Sequence, residues 1–417
     1  MWQSLVNAWK LPELRKKLLF TALIIALYRL GCWIPVPGVD PSAVQLGGGG
    51  VFDFMNLFSG GGLQNIAIFA LGIMPYITAS IIMQLLTMVS KRLEALMKEG
   101  PTGQKKMNQY TRYFTAMLGL IESVGFVFLF DSEQFNAFSS VGGLTLLRGL
   151  LVVISLTVGA VMVMWLGELI TQRGIGNGIS LMIFASIVSR LPGGLWSMFT
   201  AMNPGYWVLM AVIAILVIVF VIFVTQGQRR IPVQYAKRVV GRKVYGGQST
   251  YLPLRVNMAG VIPVIFASSV LLLPVTLASM VPWGWTKKLA EIFGPSSWWY
   301  LVAEVILIVV FTYFYTAVQF NPIDQADNLK KYGGFVPGIR PGRPTATYLD
   351  RVLTRITFPG ALFLAAIVLL PTMLYKFLNV PFYFGGTSIL IVIGVALDTM
   401  QQMESQLLMR HYEGFLK

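Results

Sequence analysis

The sequence predicts an all-α polytopic membrane protein with ten transmembrane helices in two inverted halves of five, plus one short helix too small to span. Three observations carry this. The 417 residues are 56% hydrophobic and only 12% charged, far more apolar surface than a soluble core of that length needs. Ten apolar segments approach the roughly 20 residues that a helix needs to cross a hydrocarbon core of about 30 Å. Basic residues then alternate between the connecting loops, as they do when cytoplasmic loops are the positive ones.

The first span, 16–34, follows Lys10, Arg15, Lys16 and Lys17 and ends in Trp33-Ile34-Pro35. Small residues suited to signal cleavage are absent there, so it reads as a retained span. The others fall at 66–90, 110–130, 147–169, 177–191, 205–225, 257–281, 299–320, 353–375 and 382–403. Between them, 227–255 holds seven Lys/Arg and no acid, and 91–112 and 322–352 are also basic, whereas 35–65 has no Lys or Arg. Both termini are therefore expected in the cytoplasm. Residues 1–191 form an N-terminal half, 192–204 a hinge loop containing Leu191-Pro192-Gly193-Gly194 and Asn203-Pro204-Gly205, and 205–417 a C-terminal half. Five spans per half put the second half in opposite orientation, and an inverted repeat places its functional site at the interface of the halves.

Between spans one and two lies FMNLFSGGGLQ, residues 54–64. Val51, Phe54, Met55 and Phe58 fall at i, i+3, i+4 and i+7, while Asp53, Asn56 and Ser59 share the other side, the pattern of a half-apolar helix. Gly60, Gly61 and Gly62 end it. By pattern alone, an interfacial re-entrant helix is one reading of it.

Catalytic signatures are missing. There is no phosphate-binding Gly-rich loop ending in Lys-Ser/Thr, no His-Glu-x-x-His, no Gly-x-Ser-x-Gly and no histidine inside a span, so self-contained ATP hydrolysis and His-based catalysis have no support. Cys32 is the single cysteine and His411 the single histidine; neither an internal disulfide nor a Cys/His metal site nor any cofactor is expected. RGIGNGIS at 173–180 reads as a tight turn into the fifth span. Ionisable residues at membrane depth are Arg29, Glu122, Glu304 and Asp398, with Arg29 and Glu304 near enough to span ends to snorkel. Glu122, with Gln84 and Asn257 at similar depth, is the strongest polar candidate.

Two function classes fit this plan. A 5+5 inverted repeat serves secondary transporters of small solutes. Long basic loops at 226–256 and 321–352, however, suit a docking surface for RNA or an acidic protein.

NQYTRY at 108–113, RGIGNGIS, LPLRVNMAGVIPVIFASS at 252–269, NPIDQADNLKKYGGFVPGIRPG at 321–342 and VPFYFGGTS at 380–388 resemble the SecY family, in the right order along nearly the whole chain. The resemblance implies a channel in the bacterial plasma membrane that passes unfolded, signal-bearing polypeptides and releases hydrophobic segments sideways into the lipid bilayer. It implies SecE and SecG as membrane partners and the SecA ATPase or the ribosome as driver. It makes the stretch around 53–64 a plug (Asp53, Phe54, Met55, Asn56, Phe58, Ser59, Gly60, Gly61, Gly62), with Gly60–Gly62 a pliable joint. It maps a pore ring onto Ile73, Ile77, Ile179, Ile183, Ile265 and Ile391, a lateral gate onto Gln84, Glu122 and Asn257, and driver docking onto Arg242, Lys243 and Arg340.

Overall fold

The computed structural model describes residues 9, 11–41, 55–56, 58–131, 137–138, 142–201, 204–235, 238–240, 243–245, 249–280, 297–378 and 386–415. Among these, ten helices of 16 or more residues account for the predicted spans. The first half holds α1 (Pro12–Gly31), α2 (Met74–Val89), a short α3 (Lys91–Lys98), α4 (Pro101–Asp131), α5 (Leu146–Arg173) and α6 (Gly178–Ala201). The second holds α7 (Pro204–Gln226), α8 (Ile262–Met280), α9 (Trp298–Gln319), a short α10 (Pro322–Lys331), α11 (Arg343–Leu378) and α12 (Gly386–Phe415).

Proline placement explains several starts. Pro12, Pro75 and Pro322 stand at the first or second helical position, where the missing N–H has no partner to lose. Two expectations change. The second span does not become helical at 66: residues 59–73 run as successive turns, with Gly60 at φ 64, Gly61 at φ 92 and Gly72 at φ 56, and α2 begins only at Met74. Nor is 192–204 a loop throughout, because α6 continues through Pro192 to Ala201. Pro192 lies far enough into α6 to remove one backbone bond without ending the helix.

Spans in lipid must satisfy their own polar groups. Hydroxyls here do so by bonding back to a carbonyl four residues earlier, as Thr115 Oγ1 does to Thr111 O (2.8 Å), Ser123 Oγ to Gly119 O (2.6 Å) and Thr312 Oγ1 to Ile308 O (2.6 Å). Val208, Ile215, Leu216, Val219 and Phe223 of α7 are exposed, the surface of a helix solvated by acyl chains. The halves touch on two sides, α8 against α2 and α4, and α12 against α6.

The basic loops hold structure that charge did not announce. Strand β1 (Gln228–Tyr235) pairs antiparallel with β4 (Ser249–Arg255), and β2 (Arg238–Val240) pairs with β3 (Lys243–Tyr245) between them. A two-residue strand, β5 (Gly334–Phe335), joins the other edge of β1. Ile231 and Leu254 of this sheet share an apolar core with Phe320, Val336, Leu349, Val352 and Leu353, so loops 226–256 and 321–352 fold as one unit on the end of α11.

Candidate functional site: six core isoleucines, the turn segment before α2 and a basic sheet

Ile73 and Ile77 come from the start of α2, Ile179 and Ile183 from α6, Ile265 from α8 and Ile391 from α12. All six belong to one large apolar cluster built from both halves: Ile73, Ile77, Ile183 and Ile391 are buried in it, and Ile179 and Ile265 are partly buried and packed against it. Phe58, 1% exposed, belongs to the same cluster. The stretch read as a plug thus has its one described aromatic side chain in the same apolar cluster as the six isoleucines. Asp53 and Phe54 lie outside the described residues.

The half-apolar helix expected for this stretch is corrected in one respect. Met55 and Phe58 do not share a single partner face, since Met55 packs on a separate cluster containing Leu63, Ile66, Phe126 and Leu156. Asn56 and Ser59, expected on a polar side, are buried. Their polar atoms are satisfied within the segment: Asn56 Oδ1 accepts from Gln64 N (3.1 Å), and Ser59 Oγ accepts from Leu63 N (3.1 Å) while donating to Asn56 O (3.2 Å). Polar side chains closing their own loop tolerate burial because no bonding capacity is lost.

Outside bonds then fix the segment to α1 and α6. Arg29 Nη1 donates to Gly60 O (2.5 Å), Cys32 Sγ to Ser59 O (3.4 Å), and Asn65 Nδ2 to Cys32 O (3.2 Å). Arg190 Nη2 of α6 reaches Gln64 Oε1 (3.4 Å). Tyr28 OH and Ser186 Oγ, 2.7 Å apart, join α1 to α6 beside it, and the Tyr28 ring stacks on Phe69. Ile66, a β-branched residue, stands at φ 42, a rare conformation worth on the order of 1–3 kcal/mol of strain. Bonds from Val36 N to Ile66 O and Ile68 N to Ile34 O hold it. Arg29 therefore does not snorkel. Glu304 does not either, being buried within α9. Sequence reasoning missed the roles of Tyr28, Arg29, Cys32 and Ser186; the one visible signal was a cation close to the end of the first span.

Gln84 on α2, Glu122 on α4 and Asn257 just before α8 lie on or beside the elements through which the halves touch. Asn257 is buried, donates to Gly260 O (3.1 Å) and leaves its Oδ1 unpaired. No hydrogen bond among the described residues links the three. On the sheet-bearing end, Arg340 is exposed in the turn before α11, its carbonyl accepting from Thr345 Oγ1 (2.8 Å). Lys243 belongs to β3, and Arg242 lies outside the described residues. Arg229, Arg230, Lys330, Lys331 and Arg343 add exposed positive charge to the same unit. RGIGNGIS makes the expected turn, with Gly176 at φ 82 and Asn177 Oδ1 capping α6 by accepting from Ile179 N (3.1 Å). Among the described residues no cluster of His, Cys, Asp and Glu is suited to a metal ion.

Comparison with known proteins gives the family and the fold. The family model SecY matches residues 67–400. The chain is 50% identical to protein translocase subunit SecY of Streptomyces scabiei over 440 residues, and 46% identical to that of Mycobacterium bovis over 443, with the whole of each chain covered. Among solved structures, a protein-conducting channel aligns with a TM-score of 0.63 at 21% identity, over 94% of this chain and 92% of that one. Sec61 in the canine ribosome–channel complex aligns with a TM-score of 0.60 at 20% identity, over 94% and 92%. Those two likenesses speak to the fold. With a family model over most of its length and full-length relatives at half identity, the chain belongs to the SecY family.

Proposed function

We propose that this chain is the central subunit of a protein-conducting channel, which translocates unfolded secretory polypeptides across the bacterial plasma membrane and inserts hydrophobic segments laterally into it. One observation carries the reading. Isoleucines from both halves belong to one apolar core cluster, and Phe58 of the turn segment before α2 belongs to the same cluster, which supports reading them as a constriction with a plug seated on it. A narrow apolar ring holds back ions by dewetting, while a chain in transit wets and fills it. The alternative, a transporter of small solutes, draws no support from the translocase relatives.

The parts then take roles. Residues 53–64 act as a plug, the six isoleucines as a gasket, and the seam between α8 and the pair α2 and α4, with Gln84, Glu122 and Asn257, as the lateral gate. Partition of the passing chain decides its fate. A leucine-like span of 20 residues favours lipid by about 6–12 kcal/mol, and each central Lys, Arg or Asp opposes this by about 2.5–3.5 kcal/mol. The chain itself performs no chemistry: SecA or a translating ribosome supplies the drive through the basic unit bearing Arg242, Lys243 and Arg340, and SecE and SecG complete the membrane complex. Charge asymmetry supports a cytoplasmic side for that unit and for both termini.

Purified complex containing this chain, reconstituted in planar bilayers and in vesicles, tests the reading. Deletion of 54–62 should give a channel that assembles and translocates yet leaks ions. A deletion variant as ion-tight as the parent at equal channel number overturns the plug assignment, and failure of the parent to translocate a signal-bearing chain with any driver overturns the channel.

A further inference from the structure

We propose that Arg29 is a latch that holds the plug shut, a positioning residue acting through the carbonyl of Gly60; this rests on the reading of 53–64 as a plug. The guanidinium reaches from the last turn of α1 to Gly60 O at 2.5 Å, so a full positive charge meets a peptide carbonyl at the turn that closes the segment. An arginine at the end of a membrane span ordinarily turns its head to the nearest water. Here it is half-buried and directed onto backbone.

The receptor for that carbonyl is built from two helices. Gly60 occupies a notch between Arg29 and Ser186: a Cβ there would lie 2.7 Å from Arg29 Nη1 and 3.2 Å from Ser186 Cα, and its φ of +64 already favours glycine. The 2.7 Å contact of Tyr28 OH with Ser186 Oγ sets the spacing of α1 and α6 at that notch. Cys32 Sγ takes the adjacent carbonyl, Ser59 O. The hydrogen bonds described for Asn56 to Asn65 end within the segment, on α1, on Cys32, or on Arg190 of α6.

Among the described residues, the polar hold on the plug that these bonds make therefore lies in the first half, whereas the apolar cluster that contains Phe58 and the six isoleucines draws on both halves. Separation of the halves at the gate loosens Phe58 and leaves Arg29 on Gly60, so the plug stays attached until the latch itself breaks. Gate opening and plug release become separable events. A passing hydrophobic segment that only parts the seam does not by itself unseal the pore.

The size of the effect follows from the bond type. Hydrogen bonds to charged groups are the stronger ones, and losing this one lowers the closed-to-open ratio by about tenfold or more. Parent, Arg29→Met, Arg29→Lys, Gly60→Ala and the 54–62 deletion are compared as purified complexes by conductance in planar bilayers. The expected order of leak is parent, Arg29→Lys, then Arg29→Met and Gly60→Ala together, with the deletion highest. A second readout uses native Cys32: with Ser59→Cys in place, a short bifunctional thiol reagent should bridge the two positions readily in the parent and about tenfold more slowly with Arg29→Met. If the deletion leaks while Arg29→Met and Gly60→Ala remain tight and bridging is unchanged, the latch is overturned and the plug stands. If the deletion itself is tight, the plug reading fails instead. Should Arg29→Met not assemble, Arg29→Gln and Gly60→Ala decide on the same criteria.

Discussion

Gln234 pairs with Phe335 across the β1–β5 ladder, and this short pairing makes one surface out of two stretches that lie far apart in the chain. The consequence is mechanical. A partner that grips either loop pulls on the sheet core and, through Leu349, Val352 and Leu353, on the end of α11.

Apart from Phe320 and Leu353 at the ends of two spans, that core stands outside the predicted spans, in water, where apolar burial carries its full hydrophobic driving force. Ile231 and Leu254 are at most 1% exposed. Either Ile231→Ala or Leu254→Ala should destabilise the unit by about 2–4 kcal/mol. Limited proteolysis checks this: cleavage within 227–255 should speed up while the spans stay protected, and unchanged cleavage would separate the sheet from its assigned core.

Arg340 is exposed at a turn held by Gly338 at φ 81 and Gly342 at φ 98. Arg340→Glu reverses one charge on a basic surface without touching the fold. Binding to SecA or to the ribosome should weaken, and the binding of the parent should fall as salt rises, because exposed charges are screened within a Debye length of about 10 Å at 0.1 M. Equal driver affinity and equal transport in the two proteins would assign these charges to topology alone.

Gly159 and Gly119 look alike in sequence and differ in space. A Cβ on Gly159 would collide with the Ile68 carbonyl, a backbone atom in the turn segment, while one on Gly119 would sit 3.5 Å from Ala160 Cβ, an ordinary contact. Gly159→Ala should therefore cost about 1–3 kcal/mol through overpacking, and Gly119→Ala should be neutral or stabilising. Melting of the detergent-solubilised complex distinguishes them; identical shifts would remove the close packing of α5 on residues 66–68.

The spans were legible because hydropathy and charge act over whole segments, and membrane insertion reads the same quantities. What escaped was geometry set by distant partners. Leu63, Ile66, Phe69 and Leu71 are as apolar as a helix in lipid, so 66–73 looked like the start of a span. Leu63, Ile66 and Leu71 are buried with Phe126 of α4 and Leu156 of α5, and Phe69 stacks on Tyr28 of α1, but Gly72 and Pro75 break the helix there. The alternation Arg230, Ile231, Pro232, Val233, Gln234 is a two-residue period suited to a strand, and it matches the alternating burial of β1. Asn56 and Ser59 could not be placed from periodicity, because their burial depends on bonds to Gln64 and Leu63 made only after the turn closes. Arg29 was visible as a cation at a span end; its partner, a carbonyl 31 residues on, was not.

On the proposed reading ring and plug are two barriers in series, and this predicts how their defects combine. Ile77, Ile183 and Ile391 are buried in the cluster that also holds Phe58. Replacing the three together by Ser makes the constriction wider and wettable, which removes the dewetting barrier, yet the seated plug still blocks the path sterically. Deleting 54–62 removes the steric barrier and leaves the dry ring. Each single defect should therefore raise conductance modestly, and their combination should raise it by more than the product of the two, because the last obstacle is gone. The same variants should accept substrates with weaker signals, since less of the signal's binding free energy is needed to open a closed state already destabilised. Planar-bilayer conductance at matched channel number, with translocation of a weakly signalled substrate alongside, measures both. Conductances that combine as independent factors would mean that the two elements do not share one permeation path, and a triple-serine variant as tight as the parent would remove these isoleucines from the constriction.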